Sequence, residues 1–184
     1  MRHLMTALSL SIVLAAPSAF AGKKGGVTLP DTQKVGGESL VLNGIGIREA
    51  TVFNVDVYVA GLYVKTKTKK ASEVIDGNAP KKILMHFVRD VDADDIREAY
   101  TEGFKINGGK SMSAQVKKLN SWVVDMKKGD RMAIVYDPAK GTTLSVSGKG
   151  AGTVKGKKFA EVLFRIFFGP KPPNAGLKDG MLGG

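Results

Sequence analysis

Between residues 51 and 64 apolar and polar side chains alternate: Phe53, Val55, Val57 and Val59 are interleaved with Asn54, Asp56 and Tyr58. A period of two reads as a β-strand with one apolar face, because successive strand side chains point to opposite sides. Its backbone donors and acceptors then need neighbouring strands, so this one run commits the chain to a sheet. Other runs supply the neighbours: Val27-Thr28-Leu29, residues 38–42, and residues 82–88 with Ile83, Met85 and Phe87 on one side. Residues 130–136 and 142–147 read as a hairpin, joined across the turn chemistry of Asp137-Pro138-Ala139-Lys140-Gly141. Asn43-Gly44-Ile45-Gly46-Ile47-Arg48 reads as a glycine-rich bend between strands, and residues 22–26 as a flexible leader.

Elsewhere the apolar spacing changes to three and four. Asp92, Asp94 and Asp95 open a helix with negative charge at its positive end, and Ile96, Ala99, Tyr100, Gly103 and Phe104 give it one apolar face. Residues 111–122 present Met112, Val116, Leu119 and Trp122 in the same way. Residues 157–168 bury Phe159, Val162, Leu163, Ile166 and Phe167, and Gly169-Pro170-Lys171-Pro172-Pro173 ends that helix. A short helix is predicted near residues 72–76. The tail, with Leu177, Met181 and Leu182, is apolar enough to dock on the domain. The pattern is α+β: one antiparallel sheet covered on one face by helices.

The N-terminus reads as a removable secretory signal. Arg2 precedes an apolar run over residues 4–16, and Ala19-Phe20-Ala21 gives small-x-small before Gly22-Lys23-Lys24. The run is short of the ~20 apolar residues that span a bilayer. The expectation is a signal peptide over residues 1–21 and one domain over residues 22–184, periplasmic or secreted. The chain has no cysteine, which excludes disulfides, thiolate metal sites and a cysteine nucleophile. His86 is the one histidine outside the signal, so a multi-histidine metal site is excluded within one chain, and no cofactor is called for. The net charge is +11, but the lysines lie in short scattered groups without interleaved aromatics, which argues against a nucleic-acid surface. Solubility is the plain reading of those lysines, and weak contact with an anionic membrane surface is its alternative. No pattern sets an oligomeric state.

Chemistry is sparse. His86 stands alone on the strand face opposite Ile83, Met85 and Phe87, as a half-buried structural histidine does. Gly148-Lys149-Gly150-Ala151-Gly152 precedes a strand rather than a helix, so it reads as a turn, not a phosphate loop. Arg48 and Tyr58 are of more interest. A guanidinium gives a carboxylate two parallel charge-assisted hydrogen bonds, and a phenol adds a neutral donor. The alternative places both on a solvated sheet face.

These residues fall in motifs that resemble the chalcone isomerase-like family, and within it the bacterial exported branch. The resemblance rests on Gly44-Ile45-Gly46-Ile47-Arg48, the strand ending Val57-Tyr58-Val59-Ala60-Gly61-Leu62-Tyr63-Val64, and Lys82-Ile83-Leu84-Met85-His86-Phe87-Val88-Arg89-Asp90-Val91. Lys128-Gly129-Asp130-Arg131 and the ending Phe164-Arg165-Ile166-Phe167-Phe168-Gly169-Pro170-Lys171-Pro172-Pro173 continue it. It implies an open-faced β-sandwich: a large antiparallel sheet, a helical layer and a ligand cleft between. Plant members of the family close a flavanone ring, using an arginine in the glycine motif, a threonine on the next strand, and a tyrosine and an asparagine near the next helix. Related plant proteins bind fatty acids, with the arginine and a tyrosine on the carboxylate. Arg48 matches the arginine, and the threonine position falls on Tyr58. The enzymatic tyrosine and asparagine positions fall near residues 92–100, on Asp92, Ala93, Asp94 and Ala99, with Tyr100 out of register. The implied function is a non-catalytic exported protein binding a small apolar carboxylic acid, a fatty acid above all, through Arg48 and Tyr58. The alternatives are an isomerase acting on a phenolic enone and a module that binds membrane surfaces or partners through its lysines.

Overall fold

The computed structural model describes residues 22–50 and 55–184. The signal peptide expected over residues 1–21 lies outside the described residues, and so does Phe53.

Seven strands form one antiparallel sheet in sequence order: β3 (Thr32–Val35), β4 (Glu38–Ala50), β5 (Val55–Val64), β6 (Lys81–Phe87), β7 (Arg131–Asp137), β8 (Gly141–Val146) and β9 (Lys149–Val154). Helix α1 (Ala71–Asp76) interrupts this meander after β5, and α2 (Ala93–Ile106) and α3 (Ser113–Asn120) interrupt it after β6. Two more helices, α4 (Lys157–Phe168) and α5 (Ala175–Met181), close the described chain. The predicted strands and helices are therefore present, with one face of the sheet under helices. That face holds the larger core, in which Leu62, Ile83, Phe104, Leu163 and Phe164 have at most 1% of their surface exposed.

Three local expectations need correction. Residues 22–26 are not a loose leader: Gly22–Lys24 form β1, which pairs with the expected strand Val27–Leu29 (β2) in a hairpin turning at Gly25 and Gly26, both at positive φ. Leu29 seals a second core on the other sheet face with Leu40, Val59 and Tyr63, so that face is only partly open. The glycine-rich run after Ser147 also differs: Gly150 and Gly152 lie within β9, and the turn is confined to Ser147 and Gly148, both at positive φ.

The third correction matters most for the site. Residues 43–48 do not bend the chain. They continue β4, in register with β5 from Gly44↔Leu62 to Arg48↔Tyr58, after a bulge between Leu42 and Gly44. Gly44 and Gly46 are needed for close approach. A Cβ on Gly46 would lie 2.7 Å from Leu177 Cα, and one on Gly44 would lie 2.7 Å from Gly183 N. Helix α5 therefore lies with its backbone directly on the strand. Buried Asn43, at the bulge, donates to Met181 O (2.8 Å) and Thr68 O (3.0 Å) and accepts from Thr68 N (2.8 Å). Asn174 Nδ2 donates to Ile47 O at 3.1 Å. The apolar tail docks as expected, with Leu177 and Met181 fully buried.

The faces of β5 are also covered differently. Val59 faces the hairpin-covered core, and Tyr58, Ala60, Leu62 and Val64 face the helical layer. Val55, further toward the sheet edge, is exposed.

Candidate functional site

Strand alternation places Gly44, Gly46 and Arg48 on the face of β4 that α5 and the helical layer share, with Ile45 and Ile47 on the other. Arg48 is directly paired with Tyr58 on β5, and Tyr58 with Phe87 on β6, so the three side chains form one row across the sheet. The Tyr58 and Phe87 rings pack with centroids 5.5 Å apart, tilted by 55°. The next row inward pairs Ala60 with Met85 and Met85 with Met132.

These rows floor a cavity of about 690 Å³ between the sheet and the helices. Ile96, Ala99, Tyr100 and Gly103 of α2 and Ile166 and Phe167 of α4 form its roof, and Lys171, Pro172 and Pro173 of the following loop close one side. Gly103 lets the roof helices touch, since a Cβ there would lie 2.9 Å from the Ile166 side chain. The wall is mainly apolar inside, with Arg89, Asp90, Asp92, Asp95 and Glu102 also contributing. The volume is that of a small-molecule pocket.

Charges of both signs line it, with Arg48, Arg89 and Lys171 alongside Asp90, Asp92, Asp95 and Glu102 around its wall. Burial pushes the Tyr58 phenol up, partly opposed by the Arg48 guanidinium, so it remains a neutral donor at any ordinary pH. Tyr100, 4% exposed, is likewise pushed up, first by burial and then by Tyr58. Its hydroxyl meets only Met132 Sδ, at 3.7 Å, a weak acceptor. Arg48 Nη1 donates to the carbonyl of its neighbour Glu49, and none of the ion pairs among the described residues involves Arg48. The Arg48 row thus holds a cation without an acidic partner among the described residues and a neutral phenol, with a second phenol, Tyr100, and apolar side chains in the same cavity. The cavity has what a carboxylate needs at one end and what a hydrocarbon needs at the other. Among the described residues no cluster of three or more His, Asp or Glu is placed to hold a metal ion.

The structure brings Arg48 and Tyr58 together, as their motifs imply. It also adds Tyr100, which the motif register leaves out. Its place on the apolar face of α2, four residues after Ile96 and four before Phe104, was the available signal. His86 stays apart, half-buried on the opposite sheet face, where Arg131 Nε donates to its Nδ1 at 3.5 Å. Burial, and then Arg131, lowers its pKa. Asp92, expected to cap α2, makes no side-chain cap; the Ala93 amide donates instead to Asp125 Oδ1 at 2.9 Å.

Comparison with known proteins agrees with this architecture. A fatty-acid binding protein of Arabidopsis thaliana has the same fold, with a TM-score of 0.72 over 89% of this chain and 95% of that one, at 16% identity. No curated protein sequence matches the chain. The profile described as chalcone isomerase-like matches residues 21–183, nearly the whole chain, and the chain belongs to the chalcone isomerase-like family.

Proposed function

We propose that the cavity holds a small apolar carboxylic acid, of the fatty-acid class, and that the protein binds it without transforming it. The observation that carries this reading is the cross-strand pair Arg48–Tyr58 at the wall of a largely apolar cavity of about 690 Å³. The guanidinium and the phenol take the carboxylate; Met85, Phe87, Met132 and Ile166 take the tail. Each buried methylene contributes about 0.8 kcal/mol, so a tail of about ten supplies roughly 8 kcal/mol before the cost of association is met. The likeness of fold to a fatty-acid binding protein supports the ligand class. A catalytic reading lacks support at Asp92, Ala93, Asp94 and Ala99, where the family's enzymatic tyrosine and asparagine are expected. The secretory-signal pattern of residues 1–21 supports a site of action outside the cytoplasm, in the periplasm or beyond.

The test compares dodecanoic acid with its methyl ester on the wild-type protein and on Arg48→Ala. The acid should lose about tenfold or more in affinity on substitution, as expected for a lost charge-assisted bidentate contact, and the ester should change little. Equal losses for both would remove Arg48 from the carboxylate.

A further inference from the structure

A second groove lies on the sheet face turned away from the helices, across β6, β7 and β8. It encloses about 440 Å³, and its polar lining is Gln33, Lys82, Arg131, Ser145 and Ser147. Its floor is Leu84 and Ala133, both buried. Strand alternation separates it from the cavity above: Lys82 and Leu84 point away from Ile83, Met85 and Phe87. Nothing in the proposed carboxylic-acid site depends on it.

The charges in this groove are unbalanced. Among the described residues neither Lys82 nor Arg131 is ion-paired. Lys82 Nζ donates to the neutral Gln33 Oε1 at 2.6 Å, and Arg131 Nε donates to neutral His86 at 3.5 Å. Asp130 is the acid in contact with the lining, through Ser147 Oγ at 3.5 Å, and its other oxygen accepts the Lys127 amide at 2.8 Å. Lys82 is half-buried, and desolvation disfavours its charge. Lys82 and Arg131 lie on neighbouring strands, four residues apart in register, and both line this groove, so an anion between them would offset the desolvation of the lysine.

The donors also outnumber the acceptors. An ammonium, the two terminal nitrogens of a guanidinium and the Ser145 hydroxyl line one concavity. A carboxylate has two oxygens for them; a phosphate monoester has three terminal oxygens in a tetrahedral array, which suits donors arriving from three strands. We propose that this groove is a phosphate-binding site, taking the phosphate of a lipid headgroup or of a free phosphorylated molecule through Lys82 and Arg131.

The experiment titrates the full protein with inorganic phosphate at low ionic strength, read by ¹H–¹⁵N resonances including Arg131 Nε–H. A parallel arm measures co-sedimentation with vesicles containing phosphatidic acid, whose headgroup is a phosphate monoester, against phosphatidylcholine vesicles. Saturable shifts confined to residues 33, 82, 131 and 145–148, weakened at least about tenfold in Lys82→Gln/Arg131→Gln and retained in Lys127→Gln, are expected. Phosphate saturation supports a free ligand. Binding to phosphatidic acid vesicles alone, with the same dependence on Lys82 and Arg131, supports a headgroup. No saturation in either arm, or binding that survives the double substitution in a protein whose other resonances are unchanged, overturns the proposal.

Discussion

Substituting alanine at Gly46 tests whether the site strand is held by direct backbone contact with α5. The new Cβ would lie 2.7 Å from Leu177 Cα and 2.8 Å from Leu177 C, and close also to Leu177 O. Ordinary carbon contacts lie at about 3.5–4.0 Å, so helix and strand must separate by about 1 Å. Both partners are backbone, so no rotamer change relieves the clash. Overpacking of this kind costs about 1–3 kcal/mol. Complete release of α5 sets a ceiling, because it exposes Leu177 and Met181, each fully buried and worth about 1.5–3 kcal/mol. A loss of about 2 kcal/mol is expected, or about 4–8 °C in Tm for a chain of this size. Gly150→Ala is the control: it lies in β9 with nothing within 4 Å of an added Cβ, and should stay within about 0.5 kcal/mol of wild type. Urea denaturation measures both, and hydrogen exchange should show α5 amides losing protection in Gly46→Ala first. Equal stabilities for the two variants, with α5 protection unchanged, would refute the close-contact account of the glycines.

Lys81 gives a pH prediction. Lys81 is 3% exposed, and its ammonium donates to the carbonyls of Val74, Ile75 and Gly77 at the end of α1 and lies 4.9 Å from the Phe164 ring centroid. Burial, and then Lys157, lowers its pKa from 10.5 to about 8. The unfolded chain therefore binds more protons between those values, and stability should rise with pH from about 8 to about 10.5 relative to Lys81→Met. A difference between the two denaturation midpoints that stays flat or falls across that window would contradict it. For catalysis, a chalcone added at a pH where spontaneous closure is slow should lose absorbance no faster than in buffer. A rate above background that vanishes in Arg48→Ala would replace the binding reading with an isomerase.

The sheet and its helices were legible because periods of two and of three-to-four survive in single stretches of sequence. What misled was the meaning of small residues. In Gly44-Ile45-Gly46-Ile47-Arg48 the glycines themselves alternate, which is a strand pattern, but glycine without a partner in view reads as a bend. The partner, α5, lies more than 120 residues away, at Asn174 and Met181. The same distance problem hid the hairpin over Val59: the alternation showed an apolar face but not what covers it. Arg48 and Tyr58 were legible through their motifs, and Phe87 joins their row through strand register. Tyr100 was visible as a core residue. Its position above Tyr58 depends on how α2 crosses the sheet, which no local pattern encodes.

The contact between α5 and β4 also orders events in time. Sheet neighbours follow one another in sequence order, and β3–β4–β5 and β7–β8–β9 can zip from strand to strand at low entropic cost, while helices intervene before β6 and before β7. The Asn43–Met181 and Asn174–Ile47 hydrogen bonds, in contrast, close separations of 138 and 127 residues. Such closures come late, because a long loop must be ordered before they gain anything. A chain still emerging, or one nicked in the proline-rich connection before α5, carries a finished sheet whose Arg48 strand is unfastened. The C-terminal segment therefore acts as a latch on the strand that carries Arg48.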